Sequence, residues 1–95
     1  MSKLLKKFGK KGKIINGVNP NVYRKDDCNA WIKRDEYGNR EVDFGWEIDH
    51  ITPNNDDSLL NLRPLQWQNN LDKSDGKLKC NVTSNGNRNI LKNSL

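Results

Sequence analysis

From residue 42 the chain alternates. Val42, Phe44, Trp46 and Ile48 are apolar, and Asp43, Gly45, Glu47 and Asp49 between them are polar or small. Period-two alternation marks a strand with one face on a core and the other in water. "AWIKR" (30–34) precedes it as a second strand, and "DEYGN" (35–39) between them is rich in turn formers, with Gly38 or Asn39 suited to positive φ. The pair predicts a β-hairpin. Its alternation runs into His50, the one histidine of the chain, and stops before Pro53. A lone histidine at a strand end can be a packing residue, a metal ligand or a general base. In a regular strand Asp49 and His50 point to opposite faces, but a strand that is ending can bend and bring both to one pocket.

Beyond Pro53, "NNDD" (54–57) is a loop and "LLNLRPL" (59–65) is short and apolar. Pro64 lacks a backbone N–H, so a strand here is brief or lies at an edge. "QWQNNLDKS" (66–74) predicts a short helix with Trp67, Asn70, Leu71 and Ser74 on one inward face, stopped by Gly76. An asparagine on that face buries an amide, which costs roughly 1–3 kcal/mol unless a metal or a hydrogen bond satisfies it. Asn61, ahead of "LRPL", is placed to lock the preceding loop through its backbone. One further strand is expected at 77–83. The hydrophobic content is 33% and the mean hydropathy −1.01, so the core is small and Trp31, Trp46 and Trp67 are expected to form much of it.

Charge is segregated. Eight basic residues and no acidic one precede Asp26, ten acids crowd residues 26–57, and four basic residues with no acid follow Asp75. Basic arms beside an acidic centre suit a polyanion held next to a cation site, although a lysine-rich start is equally a solvated tail. The expected organisation is a basic flexible arm (1–17), one folded domain (18–83) and a flexible polar tail (84–95). No apolar run approaches the roughly 20 residues of a membrane span, and no apolar segment follows the first lysines as in a secretory signal. The chain is therefore expected in the cytoplasm, with no membrane partner. Without a C-x-x-C pair, a four-ligand zinc site is unsupported. Cys28 and Cys80 are expected as two reduced thiols, with a disulfide as the alternative.

The stretch "EIDHITPNNDDSLLNLRPLQWQNNLDKSD" resembles the His-Asn-Asn form of the HNH nuclease motif: Asp-His, then Asn-Leu, then Asn-x-x-Lys. The upstream "NPNVYRKDDCNAWIKRDEYGNREVDFGWEIDHI" is similar to the lead-in of small bacterial and phage HNH-signature proteins, so the likeness spans roughly Asn19 to Cys80. It implies an α+β domain of the ββα-metal (His-Me finger) class, a β-hairpin plus a short helix around one metal site. It further implies a metal-dependent endonuclease hydrolysing DNA phosphodiester bonds. Asp49 and Asn70 would hold one divalent cation, His50 would be the general base, and Asn61 would brace the loop and orient the imidazole. Mg²⁺ is the expected ion, with Mn²⁺ or another divalent ion as alternatives, because a carboxylate and an amide are hard oxygen ligands. Lys73 and Arg63, with Lys10, Lys11 and Lys13 of the arm, are the expected nucleic-acid contacts, and Glu47 is expected as a solvent-facing strand residue, with a place behind the metal ligands as the alternative. The loop between Pro53 and Asn61 is shorter than in many relatives and lacks their Gly-Gly, and Asn29 stands where glycine is common. DNA is the expected partner, with RNA and the oligomeric state left open. The alternative is a nucleic-acid-binding module built on a vestigial HNH fold.

Overall fold

The computed structural model describes residues 12–53, 57–74 and 76–92. Among those residues it is a small α+β arrangement of three antiparallel two-stranded sheets, one short α-helix and two single-turn 3-10 helices. Strands β1 (Tyr23–Lys25) and β2 (Trp31–Lys33) pair first, with Arg24 opposite Ile32. The turn between them is set by Asp26, whose Oδ1 accepts the backbone N–H groups of Cys28 and Ala30 at 2.9 and 2.8 Å. Asn29 takes a positive φ of 68° there, a conformation that asparagine tolerates better than most side chains.

Strand β3 (Trp46–His50) pairs with β4 (Leu62–Gln66), Asp49 opposite Arg63 and His50 opposite Leu62. Helix α1 (Trp67–Leu71) follows directly. The Gln66 side chain caps it, its Oε1 accepting from the Gln68 and Asn69 N–H groups. Strands β5 (Val82–Asn85) and β6 (Arg88–Leu91) form the third hairpin. Among the described residues no helix is long and apolar enough to cross a membrane.

The expected hairpin between 30–34 and 42–48 does not form. Residue 31–33 pairs back to β1, and β3 finds its partner across the loop in β4. Residues 42–45 alternate in polarity but form a turn. Their backbone serves the turn itself and distant side chains: Gly45 N–H donates to Val42 O, and the carbonyls of Val42 and Asp43 accept the Trp67 indole N–H and the Gln66 side-chain amide. Gly45 lies so close to the Asn39 carbonyl that a Cβ would sit 1.7 Å from its oxygen, so only glycine fits. Pro64 sits within β4 opposite Ile48, in a two-stranded sheet where every strand is an edge. The folded region also runs past residue 83. Residues 84–91 lie in the β5–β6 hairpin, where Gly86 supplies a φ of 65°.

Cys28, Ala30, Trp31, Ile32, Trp46, Leu62, Leu65 and Val82 make the buried apolar core, whereas Trp67 is only half-buried. Running through it is a polar junction. Asp26 is fully buried, and its Oδ2 accepts the Gln66 N–H at 2.9 Å and the Asn69 Nδ2 at 3.2 Å. Asn69, also fully buried, clamps Val82 on both sides, donating to its carbonyl and accepting its N–H at 2.9 Å each. One carboxylate and one amide thus join the β1–β2 turn, β4, α1 and β5. Asparagine at position 26 keeps the shape but turns an NH₂ toward two donors. Asp26→Asn should cost about 1–3 kcal/mol, the usual effect of leaving buried donors unpaired, read as a lower urea midpoint. Burial pushes the Asp26 carboxyl pKa up against the pull of its four donors. A folded-state pKa above the ordinary value gives a contribution present at acid pH and lost as pH rises through the raised value. The wild-type midpoint should carry that pH dependence, and the Asp26→Asn midpoint should lack it.

Candidate functional site

An open cleft of about 400 Å³ is lined by Ile48, Asp49, His50, Pro53, Asn70 and Lys73. Three local features build it. β3 ends at His50, so neighbouring residues 49 and 50 both line the cleft. The chain then leaves the sheet in a loop tied at its base by Asn61. That side chain accepts the Thr52 N–H at 2.8 Å and donates to the Thr52 carbonyl at 3.0 Å, while its backbone carbonyl accepts the Ile51 N–H. Asn61 is buried and does not line the cleft; it fixes the backbone that carries His50. Third, α1 starts as soon as β4 ends and presents Asn70, and Lys73 follows the helix.

The helix face differs from the expected one. The inward asparagine is Asn69, and Leu71 is exposed. The rotation is set by the Asn69 bonds to Asp26 and Val82, which outweigh burial of one leucine on a helix of five residues. Asn70 is turned about one-quarter of a helix turn away and is half-buried at the cleft. Its Nδ2 donates to Glu47 Oε1 at 2.9 Å, which leaves its carbonyl oxygen as the group available to a ligand.

Asp49 is buried and doubly engaged: Oδ2 accepts Arg63 Nε at 2.8 Å and Oδ1 accepts Lys73 Nζ at 2.6 Å. The Lys73 ammonium also donates to the His50 carbonyl. Arg63 reaches Asp27 at 3.1 Å with its other arm, and its side chain is only 11% exposed. Its charge therefore serves Asp49 and Asp27 and not the surface, because it faces Asp49 directly across the sheet. Glu47 is gripped by Arg40 through two bonds of 2.6 and 2.9 Å. That guanidinium, ahead of the Asn70 contact, holds the Glu47 carboxyl below the usual carboxylate range.

His50 Nε2 lies 2.7 Å from Asp57 Oδ1. With a carboxylate as partner, Nε2 carries the proton and Nδ1 is the basic nitrogen. Asp57 was missed by sequence reasoning; its only signal is a carboxylate seven residues beyond the histidine on a loop that must return to β4. Lys13 is exposed and its backbone bridges Lys25, with bonds of 2.7 and 3.1 Å. Lys10 and Lys11 lie outside the described residues.

Among the described residues no three His, Cys, Asp or Glu side chains form a metal cage. The donors at the cleft are of a different kind: one carboxylate oxygen of Asp49, the Asn70 amide oxygen and the His50 backbone carbonyl. These are hard oxygens suited to Mg²⁺ or Mn²⁺ with water completing the shell. An ammonium already bridges two of them, so the donor set fits a cation. No family model, no curated protein and no solved structure matches the chain.

Proposed function

We propose that this chain is a metal-dependent endonuclease of the HNH type. In this reading β3, the Asn61-tied loop, β4 and α1 form a ββα-metal unit that hydrolyses DNA phosphodiester bonds. The observation that carries it is the single cleft lined by Asp49, His50, Asn70 and Lys73. Asp49 and the Asn70 carbonyl would hold the divalent ion. When bound, that ion supplies Lewis-acid stabilisation of charge on the scissile phosphate and the leaving oxygen.

The chain's own groups do the rest. Asp57 keeps the Nε2 proton on His50, so Nδ1 takes the proton of an attacking water. The water oxygen bonds to phosphorus while the bond from phosphorus to the leaving sugar oxygen breaks. The imidazolium so formed is stabilised by the Asp57 carboxylate. Asn61 holds the backbone after His50 in place, which fixes the imidazole relative to the phosphate. Lys73 at the cleft meets the phosphate backbone as a point charge.

The test is incubation of the purified chain with supercoiled plasmid, single-stranded DNA and RNA in Mg²⁺ or Mn²⁺, with EDTA as control. Metal-dependent cutting is expected. Asp49→Ala should abolish both cutting and saturable Mn²⁺ binding by calorimetry. Tight binding of nucleic acid with no cutting under either ion would instead assign the chain as a binding module.

A further inference from the structure

We propose that Lys73 is an internal stand-in for the divalent ion: its ammonium occupies the cation position and leaves when the ion binds. The inference rests on the metal-site reading above and concerns how that site is filled. Lys73 Nζ lies 2.6 Å from Asp49 Oδ1 and also donates to the His50 carbonyl, with its side chain only 10% exposed. These are two of the hard oxygens that a divalent ion would seek. The other Asp49 oxygen is held by Arg63, which Asp27 anchors in turn. Arg63 is therefore fixed at both ends of its guanidinium, and Oδ1 is the exchangeable oxygen.

An ammonium and a doubly charged ion crowded onto one carboxylate oxygen repel each other more strongly than that oxygen attracts the ammonium, so the ion displaces the weaker partner. Binding is then an exchange. Lys73 lies beyond α1, past Asp72 at its C-cap, on a flexible four-carbon stem. Its ammonium can swing into the cleft without unwinding the helix. The arrangement serves two states. Without the ion, the second oxygen of the buried Asp49 carboxylate keeps a partner beside the Arg63 bond to the first. With the ion, a lysine is released at the mouth of the cleft, where a phosphate would arrive.

Amine acetylation of the full chain, read at Lys73 by peptide mass spectrometry, tests this with Mg²⁺ or Mn²⁺ alone. Lys73 should label slowly without ion and several-fold faster at saturation, while Lys33, packed over Tyr23, is unchanged. Lys73→Met should bind Mn²⁺ roughly tenfold more tightly by calorimetry, the scale of one displaced charge-assisted hydrogen bond. Saturable Mn²⁺ binding that Asp49→Ala removes, with Lys73 labelling unchanged, overturns the exchange and leaves the metal site standing. No Mn²⁺ binding by either wild type or Lys73→Met overturns both.

Discussion

The His50→Ala protein should fold, bind Mn²⁺ and bind DNA, yet cleave roughly 10²–10⁴ times more slowly, the usual scale for loss of a general base. The structure says why folding should survive. The imidazole is 39% exposed and its partner Asp57 is 73% exposed, so the substitution opens little cavity. The groups that hold the cleft together do not pass through the ring. Asp49 is fixed by Arg63 and Lys73, and the loop by Asn61 and Thr52. Even the Lys73 bond to residue 50 goes to the backbone carbonyl, which alanine retains. A packing histidine predicts the reverse, a lowered melting temperature with turnover intact. Melting temperature and turnover measured on one preparation separate the two. Asp57→Asn keeps the shape and removes the charge behind Nε2, so its turnover should fall by roughly 10–100-fold, as for partners that orient a functional histidine. The ion affinity should be unchanged in that variant, because Asp57 touches the ring and not the Asp49 carboxylate.

Much of the site's raw material was legible because it lies in short-range order. The end of β3 at His50 follows from Pro53, and the Asn61 turn and the short helix from 67 follow from residue type and spacing. The strand pairing was not legible. Alternation at 42–45 is real, but it was imposed by a turn whose carbonyls serve Trp67 and Gln66, more than twenty residues away. Polarity alone cannot distinguish that from a ladder. The two adjacent asparagines show the same limit. Helical periodicity assigned the inward position to Asn70, whereas the buried bonds of Asn69 to Asp26 and Val82 set the rotation. Asp26 itself looks in sequence like one more acid in an acidic stretch. Its role depends on three elements meeting, and no local pattern encodes that. The asparagine-rich end was read as a tail because it lacks apolar density. Its hairpin is held instead by backbone pairing and by Asn89, which bonds both the N–H and the carbonyl of Trp31.

Reduction of the Cys28–Cys80 disulfide should cost about 4 kcal/mol of stability, the loop-entropy value for a cross-link of this span. The expectation of two free thiols rested on a cytoplasmic setting and on the distance between them in sequence. The fold removes the second argument, bringing two cysteines 52 residues apart to a Cα separation of 5.0 Å and joining them. They meet because Cys28 sits in the turn organised by Asp26, and Cys80 lies just ahead of Val82, which Asn69 holds against the same carboxylate. Cys80 takes a positive φ of 52° just ahead of β5. In a domain whose total stability is on the order of 5–15 kcal/mol, the cross-link is a large share. The polar junction and the bridge secure the same elements, one by hydrogen bonds and one covalently, so they should not add independently. Cys28→Ser/Cys80→Ser should lower the urea midpoint strongly, and adding dithiothreitol to the wild type should bring its midpoint to that of the double variant. A non-reduced protein that titrates two thiols in denaturant, with a midpoint indifferent to reductant, would return the pair to free cysteines. The β3–β4–α1 unit contains neither cysteine. Near room temperature the reduced protein should therefore keep its ion affinity while it stays folded, and lose it together with the fold on heating.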